Sequence, residues 1–133
     1  MNIWELTTEQ AQLVAAVGEL EPSDAVALSA ELAWSREKVS ATVDLLMQSP
    51  EGRPGVVTAT MLRHGMVSKE TASDVRLSGN GKQILLGKVT TVCPVCQTDC
   101  GARLVTEQST ACGTKGTRFY VDAKGRAVAL LVR

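Results

Sequence analysis

Aromatic side chains are almost missing from this chain: two Trp, one Tyr and one Phe among 133 residues. Trp4, Trp34, Phe119 and Tyr120 cannot fill a core between them, so the core has to be aliphatic. Histidine is scarcer still, with His64 alone. A single imidazole in a basic stretch makes no catalytic pair, and no nucleophile elbow or phosphate-binding loop appears. The sequence therefore predicts no enzyme. Long apolar runs are also absent, and nothing approaches the roughly 20 residues of a membrane-spanning helix. The opening Met1-Asn2-Ile3-Trp4-Glu5 lacks the basic-then-apolar profile of a secretion signal. A soluble, cytoplasmic protein is expected.

What is present suffices for a folded protein. The length fits one compact domain, or one small domain with a mini-domain attached, and 44% hydrophobic residues support a real core. Net charge is zero, yet the charges are segregated along the chain. Residues 1–50 carry two basic and eight acidic side chains, a balance of −6, whereas residues 51–88 and 89–133 each carry +3. Such segregation predicts surfaces with different partners, although folding can interleave the halves.

Three helices are expected in the first 50 residues. Thr7 with Gln10 has capping-box spacing, and Ala11, Leu13, Val14 and Val17 follow at helical intervals up to Gly18. Pro22-Ser23-Asp24 opens a second helix bearing Ala25, Val26, Leu28 and Leu32. Ser35 caps a third, with Val39, Val43 and Leu46 on one face and Pro50 beyond its end. Glu51 to Gly55 reads as a loop and Val56 to Thr60 as a strand. Met61 to Val67 reads as a helix end running into a strand. A hairpin is predicted from Val67–Glu70 and Asp74–Leu77 across Thr71-Ala72-Ser73. Gly79-Asn80-Gly81 reads as a turn entering a short helix, Lys82 to Leu86, capped by Ser78, with a domain boundary near Gly87-Lys88. Beyond it lie three expected strands, Arg103–Thr106, Arg118–Asp122 and Ala127–Val132, with Ala123-Lys124-Gly125 as a tight turn.

The strongest chemical signal is Cys93-Pro94-Val95-Cys96, a CxxC turn whose two thiolates can approach one metal while nearby amides satisfy the sulfurs. Cys100 and Cys112 are available as further ligands. Four clustered cysteines in a reducing compartment point to metal rather than disulfides. Structural Zn2+ is the leading reading; an iron–sulfur cluster or a reversible Cys93–Cys96 disulfide pair are the alternatives. Four thiolates on one zinc add a formal charge of about −2 and leave no open coordination position for catalysis.

Family resemblances sharpen the picture. Ala30 to Leu46, with Ser35 between its two helices, resembles a helix-turn-helix. Leu62 to Val67 with Asp74 to Leu85 looks like the wing of winged-helix repressors of the multiple-antibiotic-resistance type, the matches together covering about residues 24–86. The wing resemblance alone would make Val56 to His64 the recognition helix. Local propensity instead places it at residues 36–48, with the wing region carrying phosphate contacts. Val92 to Val132 resembles a zinc ribbon, departing from it because Ser109 occupies the position expected to pair with Cys112. The expected fold is α+β: a winged helix-turn-helix domain over residues 1–87 and a β-rich zinc-ribbon-like module over 88–133. The resemblance implies a DNA-binding transcription regulator, with Ser35, Arg36, Lys38, Arg53, Arg63, Lys69 and Arg76 as DNA contacts. The alternative is an adaptor docking on RNA polymerase or another protein, since general transcription factor E similarly joins a winged helix to a zinc ribbon. A homodimer through the first helix, Trp4 and Leu6 is a further expectation.

Overall fold

The computed structural model describes residues 4–47, 55–63 and 70–132. It is mixed α+β, with four helices and antiparallel strands among the described residues. The chain forms two compact units, one of Met1–Ala15 with Gln83–Arg133, the other of Ala16–Lys82. The first fifteen residues thus belong with the C-terminal third, whereas sequence patterning groups them with the helices that follow. Backbone pairing explains this. Strand β1 (Trp4–Glu5) pairs with β8 (Leu131–Val132), and Leu6 N–H donates to the carbonyl of Leu130 at 2.8 Å. Leu6 is buried, so its side chain is core rather than the expected dimer surface.

Helix α1 (Thr8–Leu20) begins with the expected capping box. Thr7 N–H donates to Gln10 Oε1 at 2.9 Å, and Gln10 N–H donates to Thr7 Oγ1 at 3.1 Å, so two orphan amides are satisfied reciprocally. Ala11 and the run Leu13 to Val17 are buried, so most of the helix circumference is covered.

In the unit Ala16–Lys82, helix α2 (Ala25–Leu32) is capped by Asp24, whose carboxylate accepts from Ala27 N–H at 2.8 Å. It ends at Ala33 in the left-handed region, φ 58°, with Trp34 N–H closing on the carbonyl of Ser29. Ser35 then caps α3 (Arg36–Met47) through Lys38 N–H at 3.1 Å. Val39, Val43 and Leu46 recur at spacings of four and three, and with Ser40 they form its buried face. That face meets a hairpin of β2 (Val57–Arg63) and β3 (Glu70–Leu77), tied by the bond from Ala72 N–H to Ser40 Oγ at 3.3 Å. Gly55 and Val56 lie close under the end of α3. Val56 N–H donates to the carbonyl of Leu46, and a Cβ on Gly55 would overlap that same oxygen.

Two expectations fail in this hairpin. Residues 57–63 are strand, so the helix end expected from Met61 onward does not form over its described residues, and the strand that starts in the β-branched run at Val57 continues through Met61 and Leu62 to Arg63. The predicted turn at Thr71-Ala72-Ser73 lies inside one continuous strand paired with β2. A bulge is the reason: the register slips between Thr58 and Thr60, and Asp74 has φ 49°. The extra residue on β3 puts Ala72 and Val75, three apart, both in the core, breaking the simple alternation of a strand. Residues 48–54 and 64–69, with Pro50, most of the Glu51–Gly55 loop and His64, lie outside the described residues.

Helix α4 (Gly79–Ile84) starts earlier than expected. Ser78 Oγ accepts from Gly81 N–H at 3.2 Å, and Gly79-Asn80-Gly81 form the first turn itself. Leu85 and Leu86, expected to end that helix, instead open β4 (Leu85–Lys88), which runs straight through the anticipated boundary. In the unit containing residues 83–133, β4, β5 (Gln108–Ala111), β6 (Arg118–Val121) and β7 (Arg126–Ala129) form a sheet in the order β4-β7-β6-β5. The expected strand at Arg103–Thr106 is displaced to 108–111. Glu107 at φ 61° turns the chain there, and its N–H makes the first bond to the carbonyl of Val121. The expected strand Ala127–Val132 breaks between β7 and β8 at Leu130. Its N–H serves Arg118, and its carbonyl serves Leu6. The turn at Ala123-Lys124-Gly125 forms as expected, with Gly125 at φ 78°.

Candidate metal centre

Phe119, Val121 and Ala127 of this sheet pack with the buried Cys93 and Cys112, and Leu86, Val89, Val95 and Leu104 close around them. Four cysteines converge beside that cluster. The sulfurs of Cys93, Cys96, Cys100 and Cys112 all lie within 4.8 Å of one another, and Cys100 Sγ is 4.0 Å from Cys112 Sγ. None of the four is in a disulfide. Zinc–sulfur bonds of about 2.3 Å in a tetrahedron require sulfurs about 3.8 Å apart, so this cradle fits one ion with modest contraction.

The local backbone explains why the sulfurs point inward. Cys93 N–H donates to the carbonyl of Thr98 at 3.1 Å, and Gln97 N–H donates back to the carbonyl of Cys93 at 2.8 Å. Gln97 has φ 59°, which folds the turn back on itself. The same pattern recurs nineteen positions later. Cys112 N–H donates to Thr117 at 2.9 Å, Gly116 N–H donates to Cys112 at 2.8 Å, and Gly116 has φ 72°. Backbone amides face the sulfurs in both turns, from Val95 and Cys96 onto Cys93, and from Lys115 onto Cys112 at 3.3 Å. The second turn therefore follows Cys112, and the residue matching Cys96 is Lys115. This corrects the expectation that Ser109 holds that place; Ser109 lies in β5, paired with Tyr120. Cys100 arrives from the intervening segment, and its sulfur accepts from Gly113 N–H at 3.2 Å.

Thiol acidity is uneven across the centre. Burial is the main reason the Cys93 thiol is pushed up from 9.0 to about 11. Cys96 is lowered to about 6, chiefly because the Thr98 hydroxyl, 3.1 Å away, stabilises its thiolate. Cys100 is lowered by the backbone amides of Ala102 and Gly113. Two sulfurs are thus predisposed to be thiolates, as metal ligation requires. Four thiolates complete a tetrahedral shell, which is the chemistry of a structural site. The sequence carried the cysteines themselves. Thr98, Lys115 and Gly116 were not singled out, although the Thr five residues after each turn's first cysteine, Thr98 and Thr117, is a readable signal.

The expected DNA contacts are distributed differently. Ser35, Arg36 and Lys38 sit together at the exposed start of α3, with the Lys38 ammonium 4.4 Å from the centre of the Trp34 ring. Arg76 is exposed on β3 and paired with Asp74 at 2.9 Å. Arg63 ends β2, and Arg53 and Lys69 lie outside the described residues. Among the described residues no helix is long and apolar enough to cross a membrane. Compared with protein-family models, curated proteins and solved structures, the chain gives no match.

Proposed function

We propose that the protein is a DNA-binding transcription regulator whose C-terminal unit is held together by a structural zinc tetrathiolate. The observation that carries the DNA reading is one arrangement. A capped α2, a left-handed Ala33, a second cap at Ser35 and α3 come before the antiparallel pair β2–β3, the next described strands in the chain. Two helices joined by a short capped turn and then an antiparallel strand pair is the order the helix-turn-helix resemblance calls for, although β2 occupies the place where the wing resemblance alone would put a recognition helix; Arg36 and Lys38 stand at the exposed start of α3. That position suits a helix entering the major groove, since the first residues of such a helix meet base edges and phosphates. Zinc is supported by the all-thiolate donor set and the single-ion spacing of the cradle. Its role would be to cross-link Cys93, Cys96 and Cys100, in a segment with little regular structure between β4 and β5, to Cys112 just beyond the end of β5. The centre itself makes a weak grip on DNA, because four thiolates and one divalent ion leave about −2.

Salt dependence of binding to mixed-sequence duplex, read by fluorescence anisotropy, tests this. Affinity should fall steeply as salt rises, and Arg36→Ala with Lys38→Ala should flatten the slope by about one unit for each phosphate no longer neutralised. Binding that ignores salt or the double substitution would refute it. A second reading, an adaptor docking on RNA polymerase or another protein, draws on a specific observation. Leu45 on α3 is 63% exposed, and the unit Ala16–Lys82 has nine acidic against seven basic residues. Leu45→Lys should then abolish association with the partner, whereas the DNA reading predicts unchanged or tighter duplex binding.

A further inference from the structure

The two cysteine turns share a hydrogen-bond pattern but not a ligand set. In the first, positions one and four are Cys93 and Cys96. In the second they are Cys112 and Lys115, and the amide of the fourth residue faces the first sulfur in both turns. The backbone at 112–117 is therefore shaped to present a sulfur at 115, where the chain has a lysine. The missing donor comes instead from Cys100, outside both turns. Its entry depends on a particular neighbour. A Cβ on Gly113 would overlap the carbonyl oxygen of Cys100, so the segment bearing Cys100 lies against the second turn only because residue 113 is glycine. The Gly113 amide then becomes a hydrogen-bond donor to the Cys100 sulfur.

We propose that position 115 is a latent fourth ligand position of the metal centre, and that Cys100, admitted and oriented by Gly113, is the displaced ligand that fills its corner. This rests on the tetrathiolate reading above. Gly113 is a positioning residue, acting on the metal through Cys100. The displacement has a physical consequence. A ligand at 115 would leave residues 99–107 as a loop free of the centre, whereas a ligand at 100 staples that segment to it, bringing Ala102 and Leu104 against the core cluster.

The test uses the full chain with cobalt(II) as the probe, reading thiolate-to-metal charge-transfer absorbance and stoichiometry. The unmodified protein should bind one cobalt with the intensity of four thiolates. Cys100→Ser should drop to the intensity of three. Cys100→Ser combined with Lys115→Cys should regain the four-thiolate spectrum, while Cys93→Ser combined with Lys115→Cys should not. Gly113→Ala should weaken cobalt affinity by about 10- to 100-fold, the range for losing an outer-shell support. Lys115→Cys alone, which keeps all the native thiols, covers the case in which the double variants fail to fold. In the cobalt-loaded form, iodoacetamide should divide between Cys100 and the introduced thiol, leaving Cys93, Cys96 and Cys112 protected. Label confined to the introduced thiol, or a Cys100→Ser/Lys115→Cys protein still showing three thiolates, overturns the proposal while leaving the metal centre intact. Recovery in the Cys93→Ser pair also overturns it, since any nearby thiol would then do. An unmodified protein that binds no cobalt overturns the tetrathiolate reading itself.

Discussion

Replacing Asp122 by Ala should be among the most damaging changes outside the cysteines. Its carboxylate is nearly inaccessible, and it organises the turn between β6 and β7. Oδ1 accepts from the amides of Lys124 at 3.0 Å and Arg126 at 2.7 Å, and Oδ2 accepts from Arg126 Nε at 2.6 Å. Arg126 is itself only 6% exposed. Removing the carboxylate takes from the buried guanidinium its 2.6 Å acceptor and strips two amides of this acceptor. Breaking one side of a buried pair costs about 3–5 kcal/mol, a large part of the stability of a domain this size. A cycle separates the causes. Asp122→Ala with Arg126→Met removes both partners of the buried pair and should retain mainly the cost of the two amide bonds to the carboxylate, about 1–3 kcal/mol. Arg126→Met alone should be milder than Asp122→Ala, because the carboxylate keeps both amide donors. Urea unfolding of the metal-loaded protein, followed by circular dichroism, measures all three. A loss below about 1 kcal/mol for Asp122→Ala, or a double variant no better than that single one, would refute the reasoning.

Other consequences can be checked as directly. Ser40→Ala leaves the buried amide of Ala72 without its side-chain acceptor and should cost about 1–3 kcal/mol in the same assay, whereas Ser35→Ala, losing an exposed cap, should cost about 1 kcal/mol. In metal-stripped protein near neutral pH, Cys96 should alkylate first and Cys93 last, with the Cys96 rate titrating near 6 by mass spectrometry. The sign for stability follows from the same shifts. The lowered Cys96 value contributes stability above the ordinary thiol value of 9.0 that is lost as pH falls through about 6. The raised Cys93 value contributes stability below 9.0 that is lost as pH rises through about 11. Metal removal should loosen residues 97–107 most, read as faster amide exchange there than in β6 and β7.

The first half of the fold was legible because its signals are local. Thr7 with Gln10, Asp24 and Ser35 mark helix starts through bonds to amides three residues away, and Val39, Val43 and Leu46 mark a buried face. The hairpin was not legible, since its register depends on a bulge at Asp74 that shifts buried positions from spacing two to three. Leu85 and Leu86 carry good helix formers into a strand, because pairing with β7 outweighs propensity there. The four cysteines announced a metal centre. How they assemble was hidden, because Cys100 reaches the site through a steric vacancy at Gly113 and through turn geometry that no spacing rule encodes.

Elemental analysis of protein purified without a histidine tag, repeated for Cys96→Ser and Cys112→Ser, tests the central claim most directly. The account predicts about one zinc per unmodified chain, and loss of that zinc in both variants together with order in residues 83–133. No metal in the unmodified protein, or full zinc retained in either variant, would contradict it, and iron in place of zinc would contradict the identity of the ion.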